Sequence, residues 1–313
     1  MMTEQQAEAI FTERVQDVKT LFKKTGKPPV LVIQQYPVSD EHAIQIPYIR
    51  ESVTNLLAFV ELSSVSFLET VIRLSGGVFS AVVFDIDRKR ENSEQLIAAI
   101  KKDWPGSGLF MYSDNQTWAD SAIQLIQRLL GDIRGMNVLL TGTGSLHEIL
   151  HWKLTQWGVQ TSALPVASQQ YDIVVGGGIR TTTLLQLDRM NIHAGTTFFD
   201  VGIGNFSTEV LQTARNMNCG IYRVDVRAGL SSLVMHLLET DDLVKHVMGA
   251  GTMQGIDVVA GGTMGKDGAI ILDNINQPSA IIGVADGRGN VRTPREEEAD
   301  KIRLIKKLLS QQP

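Results

Sequence analysis

Short apolar runs separated by amphipathic stretches set the pattern of this chain. Val30–Gln34, Leu56–Leu62, Ala81–Ile86 and Leu109–Tyr112 are rich in Val, Leu, Ile and Phe and predict buried strands. Between them, residues 40–54, 66–75 and 92–102 carry helical spacing, and Asp114–Gly131 supplies a longer helix. Strands alternating with helices predict a parallel α/β sheet.

The pattern then repeats with a different accent. Asn137–Thr141 reads as a strand, Gly142-Thr143-Gly144-Ser145 as a glycine turn, and Leu146–Trp157 as a helix. A second strand, Val159–Leu164, is followed closely by a third, Asp172–Val175, which ends in Gly176-Gly177-Gly178. A strand running through Gly-x-Gly into a helix brings backbone and a positive helix end to an anion, which suits a nucleotide. The third glycine of the full dinucleotide fingerprint is missing, because Ser145, Leu146 and His147 follow Gly144. A tight packing turn is the alternative reading.

Further on, the pattern predicts a helix at Thr181–Met190, a strand at Thr196–Val201 and a helix from an N-cap at Ser207 through Met217. A strand at Ile221–Val226 and a helix at Ser231–Met248 follow. The tail changes character: Ile256–Ala260, Ala269–Asp273 and Ala280–Ala285 are short β runs parted by glycine-rich turns, before a charged helix from Arg295 to Leu309. The expected architecture is α/β: an N-terminal α/β substrate domain over residues 1–130, then a Rossmann-like cofactor domain over 131–313 whose end is a β-rich C-terminal extension and helix.

Composition narrows the class. With 43% hydrophobic and 20% charged residues the chain can form a sizeable core, and its net charge of −5 argues against a nucleic-acid partner. Cys219 is the single cysteine, which excludes an internal disulfide framework. Met1–Lys24 lacks the apolar core of a signal peptide, and no apolar stretch is long enough to span a bilayer, so a cytoplasmic protein with no membrane partner is expected.

Several segments resemble the methylenetetrahydrofolate dehydrogenase/cyclohydrolase superfamily. Pro37-Val38-Ser39-Asp40 with Tyr48-Ile49-Arg50-Glu51-Ser52 resembles the loop and helix that carry its Tyr-x-x-x-Lys. Phe79–Phe84 resembles its central substrate-domain strand, and Asp132–Val138 the approach to its cofactor domain. Tyr171–Val175 and Phe199–Ile203 resemble its next two strand motifs. The likeness covers about residues 28–205 and implies a two-domain fold with a cleft between the domains. Departures matter: Ser52 stands where the family has its catalytic lysine, and Asp85-Ile86-Asp87 replaces its Gln-Leu-Pro.

The resemblance implies an oxidoreductase that uses NADP or NAD on a small polar substrate, with chemistry at a carbon–nitrogen bond. The competing readings are a ligand-binding regulatory module that has lost catalysis, and an amino-acid or shikimate-type dehydrogenase. Cofactor contacts are expected from Gly142, Thr143, Gly144 and Ser145, from Gly176, Gly177 and Gly178, and from Arg180, a bidentate anion partner or a surface helix start. Candidate catalytic groups are Tyr48, Asp85 with Asp87 beside it, Asp200, and Lys266 in the tail. The plainer readings are helix packing for Tyr48, a loop start for Asp85, a turn cap for Asp200 and a surface hairpin for Lys266. Arg223, Asp225 and Arg227 would share one strand face, as an ion ladder or an anion clamp. His147 and His151 sit four apart on a helix without a third ligand, so no metal is expected. Long terminal helices suggest a homodimer.

Overall fold

The computed structural model describes residues 3–35, 44–104, 108–166, 168–178, 191–202 and 204–311. Two compact units divide the chain, Met1–Leu233 and Val234–Pro313. The first holds two separate sheets, and the second holds a third. The fold is mixed α/β with Rossmann-like elements.

The N-terminal helix α1 (Glu4–Thr25) opens with a capping box: the Thr3 hydroxyl accepts from Gln6 N–H, and the Gln6 side chain accepts in return from Thr3 N–H. The first sheet comprises β1 (Pro29–Gln35), β2 (Ile44–Gln45), β3 (Arg50–Glu51), β4 (Leu56–Leu62), β5 (Ala81–Asp85) and β6 (Leu109–Tyr112). Its parallel strands lie in the order β4-β1-β5-β6, and the short β2 and β3 run antiparallel along the outer edge of β4. Helices α2 (Val65–Ser75) and α3 (Ser93–Asp103) bury Phe67, Leu68, Leu96 and Ile100 with Phe11 of α1 against Leu31 and Ile33.

Helical spacing over residues 40–54 does not survive. Of that stretch, residues 44–54 hold β2, β3 and loop. Pro47 removes a backbone donor that a helix would need. The free edge of β4 instead recruits the segment's backbone groups.

Helix α4 (Asp114–Leu130) follows β6 but packs elsewhere. Its Ala119, Ala122, Ile123 and Ile126 join α5 (Ser145–Gln156) over one face of the second sheet. That sheet comprises β7 (Asn137–Thr141), β8 (Gln160–Ser162), β9 (Ile173–Gly177), β10 (Thr197–Val201) and β11 (Gly220–Arg223), all parallel, in the order β8-β7-β9-β10-β11. Period-two alternation assigns its faces. Val138, Leu140, Ile173, Val175 and Phe199 face α4 and α5, while Leu139, Val174 and Phe198 face α6 (Thr208–Asn216). Ser207 caps α6 as expected, accepting from Val210 N–H at 3.3 Å. The helix expected at Thr181–Met190 lies outside the described residues.

β11 stops at Arg223 and α7 (Arg227–Asp242) begins four residues later, so the expected ladder of Arg223, Asp225 and Arg227 on one strand face does not exist. The helical run ends in a π-helical turn at Leu243–Val247. The strand β12 (Gly249–Met253) follows, although its glycines and lack of branched apolar residues gave no strand signal.

In the second unit β12 is joined by β13 (Ile256–Ala260), β14 (Ile270–Leu272), β15 (Ile281–Ala285) and β16 (Val291–Arg292), in sequence order across the sheet. The β runs read from the sequence sit where expected, and Asp286–Gly289 forms the turn between β15 and β16. The terminal helix α8 (Ala299–Leu309) packs Ile302, Ile305, Leu308 and Leu309 on Val258, Ile270, Leu272 and Val284. One face of these short strands is therefore closed by the unit's own helix. No described helix is long and apolar enough to cross a membrane.

Candidate functional site

Both sheets of the first unit reverse strand order between their first and third parallel strands, and ligands of open α/β sheets bind beyond the carboxyl ends at such points. In the second sheet the reversal falls between β7 and β9, where the glycines meet. Gly142 adopts φ +116°, and a Cβ there would lie 2.4 Å from the Gly177 carbonyl oxygen. A Cβ on Gly177 would lie 2.6 Å from Leu150 Cδ1, and one on Gly176 would lie 2.5 Å from Asn205 Cβ. These glycines are needed for close packing of β7, β9, α5 and the loop after β10.

Gly144, at φ +90° and with open space around its Cβ position, is the N-cap of α5 and supplies no side-chain cap. The first amides of α5 therefore lack the usual internal partner, and Thr143, Gly144 and Ser145 are exposed beside them. The turn thus pairs a rigid floor, Gly142 against Gly177, with an uncapped positive helix end. Gly178 lies at the same edge, since a Cβ on Gly202 would approach its carbonyl to 2.9 Å. Arg180 lies outside the described residues.

Asp200 closes β10, and both carboxylate oxygens are engaged: Oδ1 accepts from Asn205 Nδ2 at 2.5 Å and Oδ2 from Gly204 N–H at 3.0 Å. It holds its own glycine turn. His147 escaped the sequence reading as a member of this site. Burial lowers its pKa, opposed by the Thr141 main chain at the end of β7, and its Nδ1 is buried without a partner. The signal available was its place in the first turn after the glycines.

In the first sheet the reversal falls between β1 and β5, and there Asp85 lies fully buried. Lys89 Nζ sits 2.8 Å from Asp85 Oδ2 and 2.7 Å from Asp114 Oδ2, with the lysine side chain only 7% exposed. Asp114 also accepts from Gln34 Nε2 at 2.7 Å. Asp87 accepts from Ser113 Oγ at 2.7 Å and from Asn115 N–H at 2.6 Å, which ties the β5 loop to the start of α4. Burial raises the Asp85 pKa to about 6, against the pull of Lys89 and with help from Asp114. Lys89 itself is held protonated: burial opposes its charge, but Asp114 and Asp85 outweigh it. Tyr112 is pushed well above its ordinary pKa by burial and by the same carboxylates.

Sequence reading had singled out Asp85 and missed Lys89 and Asp114. Lys89 stands inside the charged run Arg88-Lys89-Arg90, which reads as solvated surface, and nothing local marks the middle residue as buried. Tyr48 is 53% exposed on the segment between β2 and β3, with β4 and β1 separating it from Asp85. The structure does not bring the two together. Ser52 lies at the opposite, amino end of the strands, where its hydroxyl donates to Asn55 O and accepts from Asn55 N–H. The expectation that this segment forms a helix, with Ser52 at the family's lysine position, is corrected: it is strand and turn. Lys266 is exposed in the turn between β13 and β14, within the second compact unit.

No protein-family model matches this chain, and no curated protein does. Among solved structures, it resembles a bifunctional methylenetetrahydrofolate dehydrogenase/cyclohydrolase, FolD, from Campylobacter jejuni at 11% identity, over 77% of this chain and 100% of the other, with a TM-score of 0.39. A hetero-hexameric glutamate dehydrogenase from Thermus thermophilus matches at 13% identity over 69% and 68% of the chains, TM-score 0.36. An aspartate transcarbamoylase from Trypanosoma cruzi matches at 12% over 76% and 93%, TM-score 0.37. Likenesses this distant assign neither reaction nor ligand to the chain.

Proposed function

We propose that this protein binds NADP or NAD at the glycine turn after β7 and acts as an oxidoreductase on a small polar substrate, at a carbon–nitrogen bond. The observation that supports this most is the uncapped start of α5 over the Gly142–Gly177 contact. Pyrophosphate would meet the amides of Ser145, Leu146 and His147, with Thr143 and Ser145 hydroxyls beside it. Gly176–Gly178 stand at the carboxyl end of β9, where the rest of the dinucleotide would pass. A homodimer in the cytoplasm belongs to the same reading.

Titration of NADPH and NADH by fluorescence tests it, with Ser145→Glu as the discriminating variant. An acid in the first helical turn favours the helix but repels phosphate, so folding should hold while affinity falls at least about tenfold. Undiminished affinity in the variant, or no binding by the wild type, rejects the site.

Ser52 supports a second reading. Its hydroxyl is consumed by the Asn55 turn, which leaves that segment without a proton-transfer group. A nucleotide-binding module without turnover would bind the cofactor as above and show no amine- or imine-dependent oxidation or reduction.

A further inference from the structure

The carboxyl end of β8 borders the glycine turn. Leu139 pairs with Ser162, so the residues after Ser162 continue beside Leu140, Thr141 and the start of the turn. Dinucleotide sites select their cofactor at this place. An Asp or Glu about 20 residues after the first glycine bonds the ribose 2′-hydroxyl of NAD, and an Arg nearby meets the 2′-phosphate of NADP. Counting on from Gly142 by that spacing reaches Ser162, and residues 160–170 carry no acid and no base.

What stands there instead is fixed and neutral. Ser162 Oγ donates its hydrogen to Gln169 Oε1 at 3.2 Å, and Gln169 Nε2 donates to Asn137 Oδ1 at 3.1 Å. The hydroxyl of the buried Tyr171 donates to Leu164 O at 3.4 Å and accepts from Val166 N–H at 2.9 Å, which pins this rim to the sheet. Leu164, 74% exposed, and Val166, 44% exposed, are thereby held with apolar surface outward. Facing β8, α5 contributes histidines: His151 Nδ1 lies 2.8 Å from Thr161 Oγ1, and His147 stands on the same helix face one turn nearer the glycines. Burial lowers the His147 pKa below its ordinary value, so the ring is uncharged at neutral pH. Lys153 of α5 is turned to α4 by its ion pair with Asp120 at 2.6 Å.

We propose that this rim makes the nucleotide site non-selective: it takes NADH and NADPH with nearly equal affinity, packing adenine on Leu164 and Val166 and leaving the ribose 2′ substituent in water. From β8 a 2′-phosphate meets no carboxylate to repel it and no guanidinium to hold it. A bare 2′-hydroxyl finds no carboxylate to accept its hydrogen. The charge of the substituent then counts for little, because water and salt screen it at an exposed edge. The inference rests on the reading of the glycine turn as the pyrophosphate site, and it narrows that reading from either cofactor to both.

The test is paired fluorescence titration of NADH and NADPH into the full chain at neutral to mildly alkaline pH, where His147 is uncharged. The two dissociation constants should agree within about threefold. Leu164→Arg and Leu164→Asp place opposite charges at one exposed side chain that has no polar contact of its own. A unit charge beside a phosphate dianion in water is worth about tenfold or more, so Arg should raise the preference for NADPH over NADH by about that factor and Asp should lower it as much. The NADH titration of each variant reports that the site is still formed. A wild-type preference of about tenfold or more for either cofactor overturns the inference and leaves the nucleotide reading intact, as does an unmoved ratio in both variants. Binding of neither cofactor by the wild type overturns the nucleotide reading and this inference with it.

Discussion

Replacing Gly142 by alanine tests whether the glycine turn is fixed by its contact with β9 or only by its own conformation. A Cβ at Gly142 would lie 2.4 Å from Gly177 O, 2.8 Å from Gly177 C and 3.1 Å from Gly178 N. These are main-chain atoms at the end of a strand held in register by both β7 and β10, so none can swing aside as a side chain would. The φ of +116° adds strain of about 1–3 kcal/mol for an L-residue, and overpacking adds about another 1–3 kcal/mol. Gly144→Ala is the matched control: φ is +90° but nothing lies within 4 Å, so only the strain applies. Urea unfolding of both variants should show Gly142→Ala the more destabilised, by about 1–3 kcal/mol, at unchanged m-value. Equal losses would refute the reasoning, because the turn would then yield to the extra methyl group.

Other perturbations probe the buried charges. Lys89→Met keeps the stem but strands Asp85 and Asp114, so about 3–5 kcal/mol should be lost, with part recovered in Lys89→Met/Asp85→Asn; a loss under about 1 kcal/mol counts against a closed ion cluster. The Asp85 pKa is raised from 3.8 to about 6 on folding, so its contribution is fully present below pH 3.8 and is lost as pH rises through about 6. Subtracting the Asp85→Asn curve from the wild-type stability curve should isolate that fall, and a flat difference would show that Asp85 titrates normally. In the second unit Arg292 holds Glu298 at a pKa of about 2, so this contribution is present at neutral pH and lost as pH falls through about 2; Glu298→Gln should remove that acid limb.

Alternation of apolar runs and helical stretches was enough to read the α/β class, most parallel strands and the glycine turn, because those signals are local. Val30–Gln34, Leu56–Leu62 and Ala81–Ile86 became β1, β4 and β5 within a residue or so at each end. Ser207 could be read as a cap because an N-cap is defined by its own side chain and the next three residues. Residues 44–54 failed for the opposite reason. Their periodicity is weak, and it was the vacant edge of β4, a feature of another segment, that made them strands. Strand β12 likewise exists because β13 pairs with it along five residues, not because Gly249–Met253 favours extension.

For the candidate sites the division is similar. The sequence by itself determined that glycines follow β7 and β9 and that acids follow β5, since covalent order places them there. Only the tertiary structure decided that Gly142 rests on Gly177, and that α4, fixed at its start by Asp87 from the loop after β5, lends its apolar face to the second sheet. The same holds for Lys89. Its place in a basic run says solvent, and its burial between Asp85 and Asp114 follows from strand order, which brings the ends of β5 and β6 together. Charge patterns report sequence neighbours, whereas desolvation and ion pairing depend on spatial ones, and that is why the glycine turn was legible in the chain and the buried ion cluster was not.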